Sequence, residues 1–133
     1  MRVMLDTNVL VSAFVFSSQH LLQMVDTIAE KHTIVLPTYV VDELKRVTKD
    51  KFPGKYDLLE MFLRELPYEL VYTPEEIDKS KFPDIRDEKD LPVLATAIIE
   101  DVDVLITGDE DFGPLDLSHP QILTPRGFID EYS

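Results

Sequence analysis

Apolar positions along the chain follow two different spacings, one typical of helices and one typical of strands. Helical spacing of apolar residues predicts helices over residues 18–31, 38–50, 55–66 and 88–101, with a shorter helix over 125–131. Short apolar or β-branched runs predict strands over residues 2–6, 33–37, 69–73, 103–107 and 121–124. Because strands and helices alternate, the sequence predicts an α/β fold with a central, mainly parallel sheet between two layers of helices.

Three local signals refine the predicted helix boundaries. Thr38 is a residue type that caps helices, so we expect it to cap the helix that follows. The run Thr73-Pro74-Glu75-Glu76 resembles the first turn of a short helix. Pro92 is compatible with the helix over 88–101 if it lies in the first turn, where its missing N–H is not needed.

The composition is typical of a soluble globular protein with one domain. A chain of 133 residues can bury a sizeable core, and we expect a single domain over residues 1–133. No apolar run approaches the length of a membrane span, and there is no signal peptide, so we expect no membrane association. Cysteine is absent, which excludes disulfides and thiolate metal sites and fits a cytoplasmic location.

The net charge of −13 argues against passive binding of nucleic acid by a basic surface. It leaves two interpretations: a solvated acidic surface, or carboxylates that converge on a cation. The candidates for a local basic strip are Arg2, Lys45, Arg46, Lys49, Lys51 and Lys55. Basic residues at the end of the helix over 38–50 also suit its dipole.

The stretch "MRVMLDTNVL" places three polar residues between two apolar segments. Asp6, Thr7 and Asn8 follow the first predicted strand directly and precede Val9 and Leu10. A carboxylate buried at that position is costly unless it is paired or binds a cation.

Several acidic residues are predicted near the same edge of the sheet, where ligand sites of parallel sheets lie. Asp6 ends the first strand, and Asp109 and Asp111 follow the strand over 103–107. Glu43 lies in a helix whose preceding strand ends at this edge, and Asp90 lies near the start of a later helix. Such a cluster would repel itself without a divalent cation, and oxygen ligands suit Mg²⁺ and Mn²⁺.

Each candidate also has a structural explanation. Asp6 could cap a turn, Glu43 could be a charge on a solvated helix face, and Asp109 and Asp111 could be loop residues. Asp87 and Asp90 are both possible helix caps. The small polar residues that either orient water and carboxylates or satisfy backbone groups are Thr7, Asn8 and Thr107. The histidines expected at the surface are His20, His32 and His119.

Taken together, four motifs resemble a PIN domain. They are "LDTNVLVSA", "VVDEL", "DEKDLPVLATAI" and "DVLITGDEDF", and their order and spacing cover roughly residues 2 to 125. The resemblance is strongest to the stand-alone, VapC-like type, which includes toxins of toxin–antitoxin pairs.

The resemblance implies a PIN-like three-layer α/β/α fold and an endoribonuclease that depends on Mg²⁺ or Mn²⁺. Asp6, Glu43, Asp90 and Asp109 match the family's acidic positions, and Asp111 matches an additional one. Thr7, Asn8 and Thr107 match the small polar residues that line such sites. Asp6, Asp90 and Asp109 would bind the principal metal, while Glu43 and Asp111 would hold a second metal or position the attacking water. Asp87 competes with Asp90 for the third position, and the spacing to "VLATAI" favours Asp90.

The resemblance also implies partners: single-stranded or structured RNA as substrate, an antitoxin protein, and a second copy of the chain in a homodimer. Two other functions stay open at this point. One is a phosphatase of the haloacid dehalogenase type, with Asp6 as nucleophile, although Asn8 stands where that family usually has an aspartate. The other is a catalytically degenerate PIN domain that binds proteins.

Overall fold

The computed structural model describes residues 1–85, 88–108 and 117–132. Its strands form one five-stranded parallel sheet in the order β3-β2-β1-β4-β5. The strands are β1 (Arg2–Leu5), β2 (Thr33–Pro37), β3 (Tyr68–Val71), β4 (Val104–Ile106) and β5 (Gln121–Leu123). Met4 of β1 pairs with Val35 on one side and with Leu105 on the other. The carboxyl ends of β1 and β4 therefore lie side by side.

Six α-helices lie within the described residues. They are α1 (Thr7–Leu10), α2 (Gln19–Lys31), α3 (Thr38–Lys51), α4 (Tyr56–Glu65), α5 (Leu91–Ile99) and α6 (Pro125–Tyr132). A π-helical turn over Val11–Val15 follows α1, and short 3-10 turns span Pro53–Lys55, Lys79–Lys81 and Glu88–Asp90. With the parallel sheet, these helices form the predicted α/β/α sandwich. None of the described helices is long and apolar enough to cross a membrane.

The core is built around the central strands and one almost entirely apolar helix. Residues 3–5 of β1 and all three residues of β4 are buried, as expected for parallel strands covered on both faces. Six of the nine residues of α5 are also buried. Each fully buried Leu-sized side chain stabilises the fold by about 1.5–3 kcal/mol. Pro92 lies in the first turn of α5, as predicted, so it removes no helical hydrogen bond.

Two local predictions are wrong, and both concern residues that are joined by a pair of hydrogen bonds. Residues 73–76 form no helix, and Thr38 does not cap α3, because Pro37 occupies the cap position. Instead, the Thr38 hydroxyl accepts a hydrogen bond from the Thr73 amide at 3.0 Å, and the Thr73 hydroxyl accepts one from the Tyr39 amide at 3.3 Å. These reciprocal hydrogen bonds hold Thr73 beside the start of α3.

The segment after Asp6 also differs from the prediction, which placed no helix over residues 7–15. In the structure, α1 and the π-helical turn fill this segment. Each is only one turn long, too short for apolar spacing to indicate it.

Candidate active site

Asp6 occupies the junction between β1 and α1, and its carboxylate is held from two directions. One oxygen accepts a hydrogen bond from the Thr7 amide at 2.7 Å, and the other accepts one from the Thr107 hydroxyl at 2.8 Å. The side chains of both residues are buried, with Asp6 5% and Thr107 3% exposed. Hydrogen bonds to an ionised carboxylate are stronger than those between neutral groups. They fix the orientation of the carboxylate at the carboxyl end of β1.

Thr107 reaches Asp6 because β1 and β4 are neighbours. The Asp6 amide donates to the Ile106 carbonyl at 3.1 Å, and the Thr107 amide donates to the Leu123 carbonyl at 2.9 Å. Both residues thus extend the ladder of the sheet by one position beyond its strands. Sheet pairing brings together two side chains that are 101 positions apart in the chain.

A cavity of about 390 Å³ opens at this edge of the sheet, and we call it the carboxylate cavity. Asp6, Glu43 and Asp90 all line it, although they come from three separate elements. Thr7 and Asn8 line it as well. The structure therefore brings together five of the residues singled out from the sequence.

Glu43 projects from α3, and its neighbours leave it part-exposed. One of its oxygens lies 3.5 Å from the Arg46 guanidinium and 3.4 Å from the Tyr39 hydroxyl. Arg46 is well exposed, so this ion pair contributes little to stability. Glu43 is therefore only loosely held.

Tyr39 links Glu43 to the segment that carries Asp90. Its hydroxyl lies 3.4 Å from the Lys89 carbonyl as well as from Glu43, both long distances for a hydroxyl hydrogen bond. Burial raises the pKa of Tyr39, and the negative charges of Glu43 and Asp90 raise it further. The hydroxyl therefore stays protonated and able to donate.

Asp90 occupies the cap position of α5 but makes no capping hydrogen bond with its side chain. One of its carboxylate oxygens is buried, and the residue lines the carboxylate cavity. The structural explanation of Asp90 as a helix cap is thus not supported by its contacts. Asp87, the competing residue, lies outside the described residues, as do Asp109 and Asp111.

The donor set fits a hard divalent cation. Asp6, Glu43 and Asp90 supply carboxylate oxygens, which are the ligands that Mg²⁺ and Mn²⁺ prefer. Within residues 1–85, 88–108 and 117–132, no three acidic or histidine side chains are grouped closely enough to form a complete metal site. Mg²⁺ is usually held by only one or two carboxylates, with water and substrate oxygens completing its shell. One or two of these carboxylates could therefore hold the metal.

Several residues of the cavity were not singled out as site residues from the sequence. They are Val11, Phe16, Tyr39, Val47, Phe52, Lys89 and Val93, while Lys51 was noted only as part of a basic strip. Tyr39 precedes Glu43 by four positions, and that spacing places both on one face of a helix. It is a signal that could have identified Tyr39. Nothing comparable marks Phe16 or Phe52, because their places depend on tertiary packing.

The histidines lie elsewhere. His20 and His119 are exposed, as expected, whereas His32 is half-buried. His20 and His32 line a second cavity, of about 280 Å³, together with Met24 and Phe128. None of the three lines the carboxylate cavity.

Comparisons with known proteins agree with this architecture. A chain in the crystal structure of VapBC2 from Rickettsia felis, bound to a DNA fragment from their promoter, superposes with a TM-score of 0.68. The two chains are 24% identical over 92% of this chain and 97% of that chain, so the match shows a shared fold. The curated proteins include no match to the sequence. Residues 2–111, which make up most of the chain, match the PIN domain family. The chain therefore belongs to the PIN domain family.

Proposed function

We propose that this protein is an endoribonuclease that hydrolyses RNA phosphodiester bonds with Mg²⁺ or Mn²⁺ at the carboxylate cavity. The observation that carries the proposal is that Asp6, Glu43 and Asp90, from three different elements, line one cavity at the carboxyl edge of the sheet. Membership of the PIN domain family supports the same function and leaves the phosphatase alternative without support.

Asp6 and Asp90 would hold the principal cation, and Asp109 joins them by its match to the family motif. Glu43 and Asp111 would hold a second cation or position the attacking water. When bound, such a cation would acidify a coordinated water and stabilise the attacking and leaving oxygens.

The chain's own residues would orient the Asp6 carboxylate and deprotonate the attacking water. Thr107 and the Thr7 amide hold the Asp6 carboxylate in one orientation. Glu43, which is part-exposed and loosely held, would accept the proton of the water that attacks phosphorus. The bond from phosphorus to the 3′-oxygen would then break, and the departing 3′-oxygen would take a proton from solvent water. This gives the 3′-hydroxyl and 5′-phosphate ends that the family resemblance implies.

We further propose that the protein is the toxin of a toxin–antitoxin pair. The fold match to a chain of VapBC2 supports a VapC-like role, with an antitoxin protein as partner. A homodimer is the assembly implied by the family resemblance.

Mn²⁺ binding by calorimetry tests the cation site first. The parent should bind, and Asp6→Asn and Asp109→Asn should each lose most of the affinity. Asp42→Asn is the matched control, because Asp42 is an exposed carboxylate beside Glu43 that does not line the cavity. If the parent does not bind even with single-stranded RNA present, the nuclease proposal fails.

RNA cleavage tests the chemistry separately. Glu43→Gln should retain most of the Mn²⁺ affinity and lose about 100-fold or more of the cleavage rate, the range typical of a missing general base. Asp42→Asn should cleave like the parent. If the parent binds Mn²⁺ but cleaves no RNA, the degenerate, protein-binding PIN domain becomes the better interpretation.

A further inference from the structure

An exposed aromatic ring lies at the rim of the carboxylate cavity. Phe16 is 65% exposed, yet it lines the same cavity as Asp6 and Glu43. Its ring meets that of Phe52 edge to face, with 5.4 Å between centroids and 83° between planes. Single exposed apolar residues are common on protein surfaces. Phe16 differs because it lies beside a cluster of carboxylates.

Two hydrogen bonds hold the backbone that leads into Phe16. Lys55 donates from its ammonium to the Val15 carbonyl at 2.6 Å. The Phe16 amide donates to the Val11 carbonyl at 3.2 Å, and the next residue, Ser17, has a left-handed φ of 53°. The ring is therefore presented by an ordered turn, with the Phe52 ring against it.

The acidic charge of the chain limits how this rim could bind a polyanion. The chain has a net charge of −13, so general electrostatic attraction cannot supply the affinity for a polyanion. Lys51 and Lys89 are the cationic side chains that line the cavity within the described part of the chain. Stacking on an aromatic ring adds affinity for an unpaired base without any charge on the protein.

We propose that Phe16 is a stacking platform for one nucleobase of single-stranded RNA, with Lys51 contacting the adjacent backbone phosphate. The proposal rests on the proposed function and names its substrate class, because a base can stack on a side chain only where it is unpaired. Lys51 directly precedes Phe52, so the cation and the aromatic pair share one rim of the cavity.

The experiment measures RNA affinity in a Glu43→Gln background with Mn²⁺, where cleavage is suppressed. The probes are a fluorescein-labelled oligoadenylate of eight nucleotides and an abasic oligomer with the same number of phosphates. Phe16→Ala should weaken oligoadenylate binding by about 5- to 100-fold, the range for loss of one stacked base, and should leave the abasic oligomer unaffected. Phe16→Tyr should retain the parent affinity.

Two further variants sharpen the result. Leu58→Ala removes an exposed apolar side chain that does not line the cavity, so it should bind like the parent. Phe16→Trp introduces the chain's first tryptophan, whose fluorescence should be quenched by oligoadenylate and not by the abasic oligomer.

The stacking proposal is overturned if Phe16→Ala binds oligoadenylate as tightly as the parent, or if it loses the same factor for both oligomers. It is also overturned if the parent binds oligoadenylate and the abasic oligomer with equal affinity. In that case a protein segment is the better candidate to contact the ring. Failure of the nuclease proposal is a separate outcome, because it appears as missing Mn²⁺ binding or cleavage in the parent.

Discussion

The hydrogen bond between Thr107 and Asp6 can be tested by replacing Thr107 with valine. Valine has a similar shape, so the substitution removes the hydroxyl and leaves little empty space. Both side chains are buried, and the Thr107 hydroxyl donates to an Asp6 oxygen at 2.8 Å. Without this donor, a buried carboxylate oxygen loses a charge-assisted hydrogen bond.

The expected cost follows from the charge of the acceptor. A buried hydrogen bond to a charged group contributes about 1.5–3 kcal/mol, compared with about 0.5–1.5 kcal/mol between neutral groups. Thr107→Val should therefore lower the free energy of unfolding by about 1.5–3 kcal/mol. Thr48→Val is the matched control, because its buried hydroxyl donates to the Leu44 carbonyl at 2.7 Å within α3. That carbonyl keeps its helical hydrogen bond in the variant, so the loss should be smaller.

Urea denaturation at pH 7 in the presence of EDTA measures both variants without a contribution from bound cations. Repeating Thr107→Val in an Asp6→Asn background completes a double-mutant cycle. The cost of removing the hydroxyl should shrink there, because asparagine is a neutral acceptor. The reasoning would be refuted if Thr107→Val and Thr48→Val lost the same free energy of unfolding. It would also be refuted if Thr107→Val cost as much in the Asp6→Asn background as in the parent. Either result would mean that the Thr107 hydrogen bond does not stabilise a charged carboxylate.

Three further predictions concern the site, the pH dependence and the core. Tyr39→Phe should slow RNA cleavage by about 2- to 10-fold in a kinetic assay, because it removes one hydroxyl contact to Glu43; an unchanged rate would argue against a positioning role. Burial, with the N-terminal ammonium and Lys31, lowers the pKa of His32 below its ordinary value of 6.5, so stability present above pH 6.5 should be lost as the pH falls through the folded-state pKa. In urea titrations at pH 7.5 and 5, His32→Gln should lose less stability on acidification than the parent, and equal losses would contradict the shift. Leu94→Ala should cost about 2–5 kcal/mol of unfolding free energy, since Leu94 is fully buried, and a loss below 1 kcal/mol would contradict its place in the core.

The fold was predictable because each long element carries its own periodic signal. Apolar spacing identified α2, α3, α4 and α5 within a few residues, and β-branched runs identified the strands. The order of the strands was not predictable in the same way. The neighbouring positions of β1 and β4 depend on packing between segments about 100 residues apart, which local spacing does not encode.

The acidic members of the site were easier to predict than its apolar members. Asp6 stands out in the sequence because it lies between apolar runs, where burying a carboxylate is costly unless it is paired or binds a cation. Phe16 does not stand out, because an aromatic residue in the sequence is equally compatible with the core. Only the contact with Phe52 and its exposed ring distinguish it. Tertiary structure was therefore needed to identify the residues that would select a substrate.

The structural and functional explanations of Asp6 are compatible with each other. Asp6 does occupy a helix cap position, as the structural explanation requires, and it accepts the Thr7 amide at 2.7 Å. A carboxylate has about four acceptor positions, however, and bonds that orient it also prepare it to bind a cation. The Thr107 hydrogen bond comes from a different strand and serves no capping purpose. Local helix formation therefore explains why an acceptor is needed after β1, and the proposed cation site would explain why that acceptor is a buried carboxylate.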